Sequence, residues 1–169
     1  MDINLISIRQ IIHSDIDDVL EILNYNILNS TNKYFDKTIT KDQLLLWLDK
    51  KRINNFPIIV IIWNKINKVI GFATYSQYRE YSGFKHSMEH SIYINNDCKK
   101  KGYWTLLMNE LIKIAKENKI HTLIGCIDSS NIDSINFHKK FNFDKIGVLK
   151  EIGYKYEKWL DMVIMQLIL

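Results

Sequence analysis

Ile92-Tyr93-Ile94-Asn95-Asn96-Asp97-Cys98-Lys99-Lys100-Lys101-Gly102-Tyr103-Trp104-Thr105-Leu106-Leu107 sets the architecture of this chain. It starts as an apolar strand that Asn95-Asn96-Asp97 stops. A basic loop follows. A helix then opens at Gly102 and runs to about Lys116, with Leu107, Met108, Leu111, Ile114 and Ala115 on one face. The start of a helix presents backbone N–H groups that lack an intrahelical partner and attract anions. Gly102 permits close backbone approach, and three lysines add positive potential. A lysine triplet is equally suited to a solvated loop, so the segment acquires meaning only with its neighbours.

Upstream, Met88 to Ile94 alternates as a strand. Met88, His90, Ile92 and Ile94 share one face, and Glu89, Ser91 and Tyr93 share the other. Before it, Ile58 to Trp63 and Val69 to Tyr75 form a hairpin around Asn64-Lys65-Ile66-Asn67. Leu5 to Arg9 reads as a short strand. Ser14 is placed to cap a helix through Ile16, Val19, Leu20, Leu23 and Ile27, and Thr40 or Asp42 opens another through Leu48. Downstream come a strand from Thr122 to Ile127, a polar turn, a helix from Ile132 to Lys140, and strands Phe143 to Tyr156 and Trp159 to Ile168. The order βααβββαβαββ is a mixed α/β fold.

The chain has 169 residues, of which 47% are hydrophobic and 25% charged, enough for one soluble domain spanning 1–169 with its own core. No apolar run reaches the length of a membrane span. The amino terminus lacks a basic start and a cleavage site, and Cys98 and Cys126 form no framework, so a reducing cytoplasm is expected. The net charge of +4 suits an anionic small ligand. It is too weak, and its lysines too local, for nucleic acid.

Two side chains are candidates for chemistry. Glu89 in an otherwise apolar strand is either a general base or an edge carboxylate facing water. His138, near the end of its helix, is either a proton donor favoured in its charged form by the dipole or a solvated histidine. His86 and His90 are four apart on a strand, which is not metal-clip spacing, so no metal is expected.

Taken together, several stretches carry a resemblance. They are Tyr25-Asn26, the loop from Thr31 to Asp36, Glu89-His90-Ser91-Ile92-Tyr93-Ile94, Asn131 to Phe143, Lys158-Trp159-Leu160-Asp161 and Met165-Gln166. The chain resembles the GNAT superfamily of N-acetyltransferases, and within it the phosphinothricin and methionine sulfoximine or sulfone branch. The resemblance implies a mostly antiparallel central sheet with a splayed strand pair and flanking helices. It implies acetyl-CoA as cofactor, with the pantetheine arm held by Ser91, Ile92, Tyr93 and Ile94 and the pyrophosphate by Lys99, Lys100, Lys101, Gly102, Tyr103 and Trp104. Asn131 lies near the cofactor. Glu89 is the base acting through water, and His138 stands near the sulfur. The acceptor, a small amine bearing a carboxylate, would meet Tyr25, Thr31, Phe35, Tyr78, Arg79 and Lys85. A homodimer is implied as well.

One position departs from the family. Its pyrophosphate loop reads Arg/Gln-x-x-Gly-x-Gly/Ala, and here the last position is Trp104. Either the indole turns inward with Leu107, Met108 and Leu111, or it disrupts the loop. The second alternative leaves a protein of impaired catalysis that binds CoA or another metabolite. An acceptor of another kind, such as a polyamine, an antibiotic or a protein amino terminus, is a third.

Overall fold

The computed structural model describes residues 5–31, 35, 37–98 and 101–169. In chain order the elements are β1 (Ile6–Gln10), α1 (Ile16–Asn29), α2 (Lys41–Ile53), β2 (Ile58–Trp63), β3 (Lys68–Gln77), β4 (Ser87–Ile94), α3 (Tyr103–Glu117), β5 (Thr122–Asp128), α4 (Ile132–Lys140), β6 (Asp144–Lys155) and β7 (Lys158–Ile168). This is the order expected from hydrophobic periodicity. All strands join one seven-stranded sheet, β1-β2-β3-β4-β5-β7-β6. Every pairing is antiparallel except β4 with β5.

The alternation of each strand feeds two cores. On one face Ile59, Ile61, Met88, Ile92, Ile94, Leu123 and Ile127 pack against Leu107, Met108 and Leu111 of α3 and Ile135 of α4. Full burial of each large aliphatic side chain contributes about 1.5–3 kcal/mol. On the other face Ile58, Val60, Phe72 and Tyr93 meet Val19, Ile22 and Ile27 of α1 and Leu44 and Leu48 of α2.

The helix starts follow local chemistry. Thr40 and Gln43 exchange hydrogen bonds at the start of α2, a capping box. At α1 the expected cap, Ser14, is exposed and only part of a single 3-10 turn from His13 to Asp15. Asp15 occupies the position before α1, but its side chain makes no cap bond to the helix; Arg9 on β1 reaches it with two guanidinium hydrogen bonds, at 2.6 and 2.9 Å. The Ile12 N–H donates to the same carboxylate at 2.8 Å.

A register shift between Ile61 and Ile62 marks a bulge opposite Gly71. A Cβ at Gly71 would collide with Ile94 Cδ1 and lie 2.8 Å from the Tyr93 carbonyl oxygen. Gly71→Ala is therefore expected to destabilise the fold by about 1–3 kcal/mol, read as a lower urea midpoint. An unchanged midpoint would mean that β3 can move away from β4.

Candidate functional site

β4 and β5 run together for only three pairs, Ser87 with Thr122, Met88 with Leu123 and Glu89 with Ile124. Beyond Glu89 the two strands part. The edge of β4 that faces β5 then has no strand partner, and its backbone groups need another. A cavity of about 510 Å³ occupies the fork, a volume typical of small-ligand sites.

Both faces of the sheet contribute to this cavity. Gly102, Trp104 and Thr105 of the α3 start and Asn131, Phe137 and His138 of α4 line one side. Tyr25, Asn26 and Ser30 at the end of α1 line the other. Ser91, Ile92 and Tyr93 of β4 and Gly125 to Asp128 of β5 form the walls between. The cavity thus reaches through the sheet, so two ligands entering from opposite faces can meet there.

The α3 entrance is built on backbone geometry. Gly102 has φ 79°, in the left-handed region, where any side chain would be strained. No side chain caps the helix start among the described residues. Lys101 is exposed beside it. Lys99 and Lys100 lie outside the described residues. Trp104 is half-buried, packed on the core, with its ring edge-on to Phe137 at 6.1 Å. Its indole belongs to the wall between α3 and α4. Asn131 both lines the cavity and caps α4, accepting from the Ser134 N–H at 3.1 Å.

The two chemical candidates differ in setting. Glu89 is half-buried at the last paired position, on the same face as Ser91 and Tyr93. It acts electrostatically on Cys126, as does Arg79, which puts both charges near that thiol. Burial, followed by the Glu89 charge, pushes the Cys126 thiol up to about 12 against the opposing pull of Arg79. A thiol held protonated is a poor nucleophile. His138 is not the solvated, dipole-charged histidine that its helix-end position suggested. It is 6% exposed. Burial pushes its pKa below the ordinary imidazole value, although a hydrogen bond with the Ser134 carbonyl opposes this.

The acceptor-side candidates are spread more widely. Tyr25 lines the cavity, while Thr31, Phe35, Tyr78, Arg79 and Lys85 do not line it. The Arg79 guanidinium stacks over the Tyr78 ring at 5.1 Å. Lys85 is exposed in the turn before β4. Residues 32–34 and 36 of the loop lie outside the described residues. Ile94 is buried in the core, so only its backbone is available to a ligand.

The structure adds Asp128, which sequence reading missed. It is 4% exposed and lines the cavity. One carboxylate oxygen accepts from the Ser130 N–H and hydroxyl at 2.8 Å, and the other has no partner. Its one sequence signal is a carboxylate directly after an apolar strand. Among the described residues no group of His, Cys, Asp or Glu could hold a metal ion, and no helix is long and apolar enough to cross a membrane.

Comparison with known proteins gives a consistent answer. Residues 8–164 match the family model described as acetyltransferase (GNAT) domain. The chain is 31% identical over 161 residues to the L-methionine sulfoximine/L-methionine sulfone acetyltransferase of Pseudomonas aeruginosa, covering 95% of this chain and 93% of that protein. It is similar to the crystal structure of an N-acetyltransferase from Staphylococcus aureus Mu50, with TM-score 0.94, 37% identity, and coverage of 96% of this chain and 98% of that one. A GNAT superfamily phosphinothricin acetyltransferase from Sinorhizobium meliloti, crystallised with acetyl-CoA, superposes with TM-score 0.93 at 25% identity, covering 98% and 89% of the two chains.

Proposed function

Because the chain belongs to the GNAT acetyltransferases, we propose that it transfers an acetyl group from acetyl-CoA to the amino group of a small, carboxylate-bearing amino acid or analogue. The observation that carries this reading is the through-sheet cavity at the β4–β5 fork. Methionine sulfoximine, methionine sulfone and phosphinothricin are the acceptors named for relatives, and all three are amino-acid analogues.

The residues present fit acetyl-CoA. Past Glu89, where β4 no longer pairs with β5, the backbone from Ser91 to Ile94 suits the pantetheine arm. The left-handed Gly102, with Lys101 and the N-terminus of α3, suits a pyrophosphate. The turn of Trp104 into the wall favours a working loop over a disrupted one. Acetyl-CoA supplies the activated carbonyl. Glu89, through water, takes a proton from the acceptor ammonium so that the nitrogen can attack. His138 stands on the sulfur side of the fork. Cys126, held as a thiol, plays no covalent part. Arg79 offers its fork to the acceptor carboxylate.

The exposed apolar side chains Ile146, Leu149, Ile152, Tyr154 and Trp159 on the β6–β7 hairpin support a homodimer through that edge. The test of function is a calorimetric titration of acetyl-CoA into the purified protein. Micromolar binding, about −8 kcal/mol, is expected. Acetylation of amino-acid analogues should then be measurable. Absence of binding would overturn the proposal.

A further inference from the structure

Two histidines at the fork have hydrogen bonds that fix where their protons are. His90 Nε2 and His138 Nε2 lie 3.2 Å apart, and the rings stack with centroids 5.1 Å apart at 24°. At its other end His138 Nδ1 is 2.7 Å from the Ser134 carbonyl oxygen. A carbonyl oxygen only accepts, so His138 carries its proton on Nδ1. With the ring neutral, as its burial favours, its Nε2 is a lone pair and His90 Nε2–H is the donor to it. That leaves His90 Nδ1 as a second lone pair, buried and without a hydrogen-bond partner.

The surroundings hold this arrangement. His90 and His138 are 7% and 6% exposed. Phe143 packs edge-on against both, with centroids at 5.4 and 5.0 Å. Across the pair stands Gly125. A Cβ there would lie 3.0 Å from His138 Nε2 and 3.4 Å from His90 Nε2, so only glycine leaves the pair undisturbed. The titratable groups sharing the cavity are Asp128 and Cys126 on β5, Asp133 on α4, Tyr93 on β4 and Tyr25 on α1. None of them is a cause of the shift at either ring. Burial, and then the neighbouring His138, push His90 down to about 3.

We propose that His90 is a positioning residue that holds His138 neutral, its one proton turned into the Ser134 carbonyl, so that the departing sulfur takes its proton from the attacking nitrogen and not from His138. This rests on the reading of the cavity as the acetyl-CoA site. The protons balance. The acceptor ammonium has three N–H bonds. One proton goes to Glu89 through water before attack. A second leaves the nitrogen as the C–N bond forms and the C–S bond breaks, and passes to the sulfur, which departs with the bonding pair. The third stays on the amide. The histidine pair gains and loses none.

The test is nitrogen NMR of ligand-free protein labelled at histidine, across about pH 5.5–8, which brackets the ordinary imidazole pKa. His138 is expected as the Nδ1–H form and His90 as the Nε2–H form, with neither titrating. Either ring titrating near its ordinary value, or His138 found with its proton on Nε2, overturns the proposal. His90→Leu removes the donor to His138 Nε2, so His138 should keep its Nδ1–H on Ser134 but gain a proton on Nε2 within this pH range, and His90→Gln, whose amide N–H can donate in its place, should restore the neutral Nδ1–H form. An unchanged His138 spectrum in His90→Leu overturns the positioning role. In acetylation assays of the wild-type enzyme, kcat should show no fall with rising pH near the imidazole value. Such a fall would mean that His138 donates. Failure to bind acetyl-CoA removes the underlying reading, whereas the NMR result still reports on the pair.

Discussion

Glu89→Gln lowers kcat for acetyl transfer by about 10²–10⁴-fold, with the KM for acetyl-CoA nearly unchanged. The amide keeps the size of the carboxylate and most of its hydrogen bonding, so a loss of this size reports proton abstraction. Glu89 occupies the last position at which β4 and β5 are still paired. It is therefore fixed where the strands part, on the face it shares with Ser91. The defect should narrow as pH rises, because the acceptor is then already a free amine and needs no base. The measurement is a pH profile of kcat for both proteins. Equal turnover across the range would remove Glu89 from the mechanism.

Asp15→Ala costs about 2–3 kcal/mol of folding stability, at a residue that does not line the cavity. The carboxylate is 4% exposed. Burial alone would raise its pKa. The hydrogen bonds from Arg9 and the Ile12 N–H, with the guanidinium charge, outweigh that and hold it below the usual carboxylate range. A depressed folded-state pKa gives stability that is complete above the unfolded-state pKa and lost as pH falls through the folded value. Urea unfolding should therefore show the full gap between wild type and variant near neutrality, closing below about pH 4. A gap that is constant with pH would mean that packing, and not the charge pair, is what Asp15 contributes. Such a loss is a large part of the roughly 5–15 kcal/mol by which domains are stable.

The elements were legible because their signals are local. The turn Asn64-Lys65-Ile66-Asn67 gave β2 and β3, the stripe from Leu107 to Ala115 gave α3, and Thr40, read with Asp42 as the alternative, gave the start of α2. Ser14 was expected as the cap of α1, and the part played by Asp15 was not legible because its partner, Arg9, sits on a strand. The two faces of β4 were legible from alternation, which put Glu89 with Ser91 and His90 with Met88. The fork itself was known only through family resemblance. Its cause is a register between strands separated by the whole of α3, which no local pattern records. The pairing of His90 with His138, 48 positions apart, is equally long-range. So is the place of Asp128, whose role depends on what the fork leaves open.

Lys155, at the tip of the β6–β7 hairpin, is buried and donates to the carbonyl oxygens of Ile27 and Ser30 at the end of α1. The Tyr156 hydroxyl donates to the Leu28 carbonyl at 2.7 Å. These bonds join residues 125 to 128 positions apart. Contacts of such separation form after local ones, since the chain between them must first be ordered. On the ribosome, where chains emerge at about 5–20 residues per second and fold from the amino terminus, this clasp is among the last to close. The α1 wall of the cavity is thus secured only once the final hairpin has been synthesised. A nascent chain or a truncation that lacks this hairpin would leave the α1 wall of the cavity unsecured, and would also lack Val163 and Met165 from the core on the α3 face.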